Sequence, residues 1–125
     1  LAAAVPNTER KPQYWIGVDT TAINTSDIYF MGYSEGIVVD SLIFSLRRRA
    51  GTPDVTMKVW YGTSQNAAGT AVVTAGNNIT SYTGVTRTGT INSATIPAGN
   101  VIWATFSVVS VIPKGAFVTI IGHRL

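Results

Sequence analysis

The chain has 125 residues, no cysteine and only 12% charged residues, with a formal net charge of +3. This length suits one domain with a single core, and the lack of cysteine excludes disulfides and thiolate chemistry. The charged fraction is about half the usual 25% or so, too little to cover a free surface at normal density. No apolar run approaches the roughly 18 residues that span a bilayer as a helix, so no membrane span is predicted.

Residue usage predicts an all-β protein. Val, Ile and Thr together supply 43 residues, whereas Leu, Glu and Lys together supply nine. Branched side chains fit a pleated sheet, and Leu, Glu and Lys are residues from which helices are usually built. No segment has the 3.6-residue periodicity of an amphipathic helix.

Residues 1–12 contain Pro6 and Pro12 and are predicted to form an extended N-terminal arm or linker, followed by one domain over residues 13–125. The chain starts at Leu1 rather than Met, which is expected of a processed protein or of a segment from a longer one.

Strand-like runs separated by Gly, Pro, Asn and Ser follow the arm. They cover residues 14–18, 28–33, 37–47, 55–61, 70–75, 91–96, 101–112 and 117–125, with turns predicted at 76–78 and 97–100. Eight or nine short strands at this spacing predict a single antiparallel β-sandwich, with a jelly-roll arrangement as the leading candidate.

Residues for catalysis are few. His123 is the only histidine and lies near the end of the last strand, where a surface role is expected rather than that of a catalytic base. One histidine is too few for a histidine-rich zinc site. The acids lie mostly beside turns and are interpreted as solvated, although two carboxylates would be enough for a glycosidase. We therefore predict no enzyme, no metal and no cofactor.

Arg47, Arg48 and Arg49 form the one charge cluster. The first interpretation is a solvated strand end that pairs with Asp54 or Asp40. The alternative is a contact between subunits or on a particle surface, because guanidinium groups bind carboxylates in a fork. The remaining basic residues are scattered, so a nucleic-acid partner is not expected.

Several aromatic residues are candidates for an interface or for a platform on which a sugar stacks. Trp60 is the most notable, because strand alternation places it on the polar face with Thr56 and Lys58, opposite Val59. A large aromatic on a polar face suggests an interface or a ligand surface, while packing beneath a neighbouring loop is an equal alternative. The other candidates are Tyr14, Trp15, Tyr61 and Tyr82, whereas Trp103 and Phe106 are expected in the core.

Two stretches carry a resemblance, VTMKVWYGT at 55–63 and ATIPAGNVIW at 94–103, the latter followed by two apolar strands. Over roughly the last 70 residues the chain resembles small β-sandwich virion proteins of tailed bacteriophages: capsid decoration proteins, head fibres and tail-fibre knobs. The resemblance implies a jelly-roll-like, catalytically inert and trimeric protein. It assigns no individual functional residue.

The resulting functional hypothesis is a homotrimeric structural domain on the virion surface, in the capsid or the tail. Its arm would contact other virion proteins, and its outer loops would aid attachment to the host. A carbohydrate-binding module or lectin that recognises a host surface glycan is the second hypothesis. The coat subunit of a simple virus is the third.

Overall fold

A computed structural model describes residues 11–12, 29–46, 51–64, 68–81, 86–87, 90–110 and 116–125. These residues form ten strands and no helix. The strands are β1 (Lys11–Pro12), β2 (Tyr29–Tyr33), β3 (Ile37–Leu46), β4 (Asp54–Gly62), β5 (Thr70–Ala71), β6 (Asn77–Ile79), β7 (Thr86–Arg87), β8 (Thr95–Ile96), β9 (Val101–Ser110) and β10 (Ala116–Arg124). The described part of the chain thus offers no helical segment able to cross a membrane.

The strands form two antiparallel sheets. Sheet A has the order β1-β10-β3-β7, with β8 also paired to β3, and sheet B has the order β2-β9-β4-β5, with β6 also paired to β4. Strands β2, β3 and β4 alternate between the sheets, as do β9 and β10. Because β7 and β8 share one edge of β3, and β5 and β6 share one edge of β4, each sheet has four strand positions. The predicted antiparallel β-sandwich is confirmed, and the strand order is that of a jelly roll.

The core lies between the inner faces of the two sheets. Alternate residues of β3 and β4 are buried, as predicted: Leu42 and Phe44 from sheet A, and Val55, Met57 and Val59 from sheet B. Strands β9 and β10 complete the layer with Ile102, Ala104, Phe106, Val118 and Ile120. Phe106 is therefore a core residue, as expected.

The segment after β4 departs from the prediction of one strand over 70–75. Pairing ends at Ala71, and Val72 and Val73 are buried within a turn. The turn closes where Gly76 N–H donates to Val73 O at 3.0 Å, and Gly76 has a φ of +76° that favours glycine. Because the turn is complete at Gly76, residues 77–78 belong to strand β6 and not to the predicted turn.

The predicted strand over 91–96 is also shorter, since only Thr95 and Ile96 pair with β3. The backbone N–H groups of Asn92 and Ser93 instead donate to Val72 O. Lys11 and Pro12, the last residues of the predicted arm, pair with β10. Residues 1–10 and the predicted strand at 14–18 lie outside the described residues.

Ser34 joins two turns at one end of the sandwich. Its N–H donates to Asn100 O at 2.8 Å, and its carbonyl accepts from Gly99 N–H at 2.9 Å. Its buried hydroxyl accepts from Gly36 N–H at 3.0 Å and donates to Ile96 O at 3.2 Å. This single side chain therefore satisfies backbone groups from the start of β3 and the end of β8.

Ser34→Ala should lower the free energy of unfolding by about 1–3 kcal/mol, because it leaves the buried Gly36 N–H without its acceptor. The control is Ser107→Ala, which makes the same change at an exposed position of β9 and should cost less than about 0.5 kcal/mol. Urea denaturation followed by circular dichroism measures both. Equal losses in the two variants would contradict the role given to Ser34.

Candidate functional surface

The register of β4 and β9 defines the outer face of sheet B, the face directed away from the core. Residues directly opposite each other in an antiparallel pair lie on the same face. Trp60 is opposite Trp103, Lys58 is opposite Thr105, and Thr56 is opposite Ser107. The neighbouring strands extend these rows with Ala71 and Asn78 on one side and Phe30 and Tyr33 on the other.

This outer face has two chemically different ends. The aromatic end consists of Phe30, Tyr33, Val101 and Trp103. The polar end consists of Thr56, Lys58, Asn78, Thr105 and Ser107. Trp60 lies in the same row as Phe30 and Trp103 and borders the polar end.

Trp60 lies where alternation predicted it, half-buried on the outer face with Thr56 and Lys58. Its indole Nε1–H donates to Thr105 Oγ1 at 2.8 Å. The ammonium of Lys58 lies 5.5 Å from the ring centroid, a distance that permits a cation–π interaction. The hydrogen bond at the ring edge and the ammonium over the ring face hold it in one orientation.

Trp103 corrects the expectation that it belongs to the core. It is only 4% exposed, but it lies on the outer face and not among the core residues between the sheets. The backbone of the segment after β4 covers it. A Cβ placed on Gly69 would lie 2.5 Å from the Trp103 ring, and one on Gly62 would lie 3.1 Å away. Glycine at these positions lets the chain pass directly over the indole.

Phe30 and Tyr33 form an exposed aromatic pair that sequence reasoning missed. Their side chains are 46% and 67% exposed, and their rings meet edge to face with centroids 5.5 Å apart. Three residues apart, they should point to opposite faces of a regular strand. A bulge at Met31 makes Phe30 pair with Trp103 and Tyr33 with Val101, so both rings lie on the outer face.

Of the sequence-predicted surface residues, Trp60 and Tyr61 fall in the described part of the chain, and Tyr61 is partly buried against the core. Arg47, Arg48 and Arg49 lie outside the described residues, as do the aromatic candidates Tyr14, Trp15 and Tyr82. The two acids considered as partners for the arginines have other contacts: Asp40 is bonded to His123 and Asp54 accepts from Asn78.

The outer face of sheet A carries a histidine–aspartate pair. His123 Nδ1 lies 3.0 Å from Oδ1 and 3.1 Å from Oδ2 of Asp40, and both side chains are about a quarter exposed. The register between β10 and β3 shifts after Ile121. Ile121 pairs with Ser41, whereas the next residue of β10, Gly122, pairs with Val39. Asp40 is the extra residue of this bulge, which brings its carboxylate to His123.

This pair orients one imidazole, but the adjacent surface does not complete a triad. A Ser-His-Asp site also needs a nucleophile bonded to the second ring nitrogen. A surface cavity of about 330 Å³ lies beside His123, lined also by Glu35, Ala98, Arg124 and Leu125. None of its described lining residues has a hydroxyl or thiol group.

Within the described ranges, no three His, Asp or Glu side chains form a group able to hold a metal ion. Comparison with models of protein families, with curated proteins and with solved structures gave no match.

Gly69→Ala should lower the free energy of unfolding by about 1–3 kcal/mol, because the new methyl group overlaps the Trp103 ring. It should also change the tryptophan signal in near-ultraviolet circular dichroism. Ala68→Ser adds one heavy atom at the neighbouring exposed position and serves as the control. An unchanged Trp103 environment in Gly69→Ala would contradict the covering of this ring by the glycine backbone.

Proposed function

We propose that this chain is a non-enzymatic structural protein of a tailed-phage particle, a homotrimeric decoration, head-fibre or tail-fibre domain exposed at the virion surface. The single observation that carries the proposal is the Phe30–Tyr33 pair, which places two exposed rings on the edge strand β2. Aromatic side chains of this size are enriched where proteins meet.

The low charge of the chain supports self-association. The aromatic end carries no charged side chain among the described residues, so a second copy can cover it without desolvating an ion. Soluble domains usually contain about 25% charged residues, and this chain has 12%. A surface that sister subunits cover in the particle does not need that density.

The outer face of sheet B supplies part of such a contact. Nine register pairs join β4 to β9, which corresponds to a length of about 30 Å, and four strand positions give a width of about 15–20 Å. A standard interface buries about 800 Å² on each partner. The flat face, about 450–600 Å² from these dimensions, is smaller than this, so the contact extends from the two rings past β2, the last described strand on that side of the sheet.

The jelly roll fits the same role. This architecture is common in viral capsid and lectin domains, although a fold alone does not determine function. In a closed trimer each copy offers one patch to the next around a threefold axis. An edge strand with outward aromatics, repeated three times, brings like surfaces together near that axis.

Size-exclusion chromatography with light scattering should give a mass three times the 13.3 kDa of one chain. The double variant Phe30→Ser, Tyr33→Ser should shift the protein to monomer while its circular dichroism stays native. The matched control is Leu125→Ser, which removes another exposed apolar side chain, 63% exposed, and should remain trimeric.

A wild-type monomer at micromolar concentration contradicts the proposal, and so does a double variant that stays trimeric. Closed shells formed by the protein alone would instead support the coat subunit of a simple virus. The position of the gene, beside capsid genes or beside tail genes, separates a decoration protein from a tail protein.

A further inference from the structure

The polar end of the outer face of sheet B has a chemistry that self-association does not use. Asn78, Thr56 and Ser107 form one cross-strand row, and Lys58 and Thr105 form the next. Asn78 and Ser107 are exposed and the others are half-buried. Hydroxyl and amide groups both donate and accept hydrogen bonds, so these rows present hydrogen-bonding groups beside the Trp60 ring that are neutral apart from Lys58.

The Trp60 ring is held in place for binding. Its N–H donor is already satisfied by Thr105, so the ring offers a new partner only its flat apolar surface. A side chain that is ordered before binding loses little entropy on binding, which favours affinity. Lys58 lies over the ring, and its flexible stem allows the ammonium to move aside and donate to a ligand oxygen.

A flat apolar ring beside neutral hydrogen-bonding groups is complementary to a sugar. A sugar ring has C–H groups on its faces and hydroxyl groups at its edge. The faces stack on an aromatic ring, and the edge hydroxyls bind side chains such as Thr56 and Ser107. Because the two polar rows and Trp60 extend over about 13 Å along the strands, the surface matches an oligosaccharide better than a single sugar.

Charge argues against other ligands that stack on aromatics. Nucleic-acid bases also stack on such rings, but their phosphates require a positively charged groove. Here Lys58 is the one cation among the described residues of the polar end, and a carboxylate, Asp54, lies at the same end of β4 and accepts a hydrogen bond from Asn78 at 2.8 Å. A dry protein contact would desolvate the exposed Ser107 hydroxyl without an assured partner.

We propose that Trp60, with Lys58, Thr105, Thr56, Asn78 and Ser107, binds an uncharged oligosaccharide. The site lies wholly within one chain and does not require the trimer or a phage particle. It therefore stands or falls independently of the function proposed above.

Native affinity electrophoresis tests this with the full chain. The gels contain one of four uncharged polysaccharides (dextran, galactomannan, hydroxyethyl cellulose or glycol chitin in its acetylated form) or one of two anionic polymers, polygalacturonate and heparin. At least one uncharged polysaccharide should retard the protein, and the anionic polymers should not do so more strongly. Chemical-shift mapping with a short oligosaccharide of the retarding type should move the Trp60 indole N–H signal.

Variants then locate the site. Trp60→Ala should weaken the retarding interaction roughly tenfold or more, in line with the loss of one stacked ring. Trp60→Phe keeps a stacking ring without the indole N–H and should retain most of the binding even if Trp60→Ala folds poorly. Phe30→Ser, Tyr33→Ser is the control for an aromatic loss elsewhere on the same face. Because its monomers lose avidity on a polymer, it is compared by chemical-shift mapping with the short oligosaccharide, where it should keep the wild-type affinity of a single site.

Three results would overturn the inference: no retardation in any uncharged polysaccharide, retardation by the anionic polymers alone, or a well-folded Trp60→Ala that binds like wild type. A monomeric wild-type protein that still binds the uncharged polysaccharide would contradict the proposed trimer and support this site. A trimeric protein that binds no uncharged polysaccharide would contradict this site and support the trimer.

Discussion

The surface of this protein depends on the register of two long strand pairs, β4 with β9 and β3 with β10. In sheet B the register places Met57 opposite Phe106 inside the sandwich and Trp60 opposite Trp103 outside it. A slip of one residue would exchange the two faces of a strand. It would bury the Lys58 ammonium, at a cost of several kcal/mol, and expose the Met57 side chain. Packing between the sheets thereby determines which aromatic residues face outward.

Two β-bulges then modify the regular alternation at the positions of greatest chemical interest. The bulge at Met31 turns both Phe30 and Tyr33 outward, and the bulge at Asp40 brings a carboxylate to His123. Bulges bend a strand and redirect side chains. At the second bulge the strands approach so closely that a Cβ on Gly122 would collide with the Val38 carbonyl. Glycine at this position allows β10 to continue alongside β3.

The regular parts of this arrangement could be predicted from the sequence, because they depend on residues adjacent in the chain. The alternation of Val55, Met57 and Val59 with Thr56, Lys58 and Trp60 was sufficient to place each side chain on its face. The bulges could not be predicted this way. A bulge is a mismatch between two strands, and Asp40 is separated from His123 by 83 positions.

Trp103 shows a second limit of sequence reasoning. Its position in an apolar strand correctly indicated burial, but the burial comes from the backbone at Gly69 on the outer face and not from the opposite sheet. The same limit explains Val72 and Val73, whose apolar side chains suggested a longer strand. They are buried within a turn, and burial alone does not distinguish a strand from a well-packed loop.

The order of side chains along the outer face of sheet B relates the two proposals to each other. Successive rows on one face of a strand are about 7 Å apart, so the exposed Tyr33 ring and the Thr56–Ser107 row lie at opposite ends of the sheet. Phe30 lies two strands from Trp60 in one row, so a threefold contact that extends from Phe30 and Tyr33 outward past β2 would leave Trp60 and the polar end accessible in each of three subunits. A flat sheet surface encloses little of a sugar and binds it weakly, whereas several linked copies increase avidity without any new contact. Self-association through the aromatic end would thus make a shallow glycan surface effective at the other end.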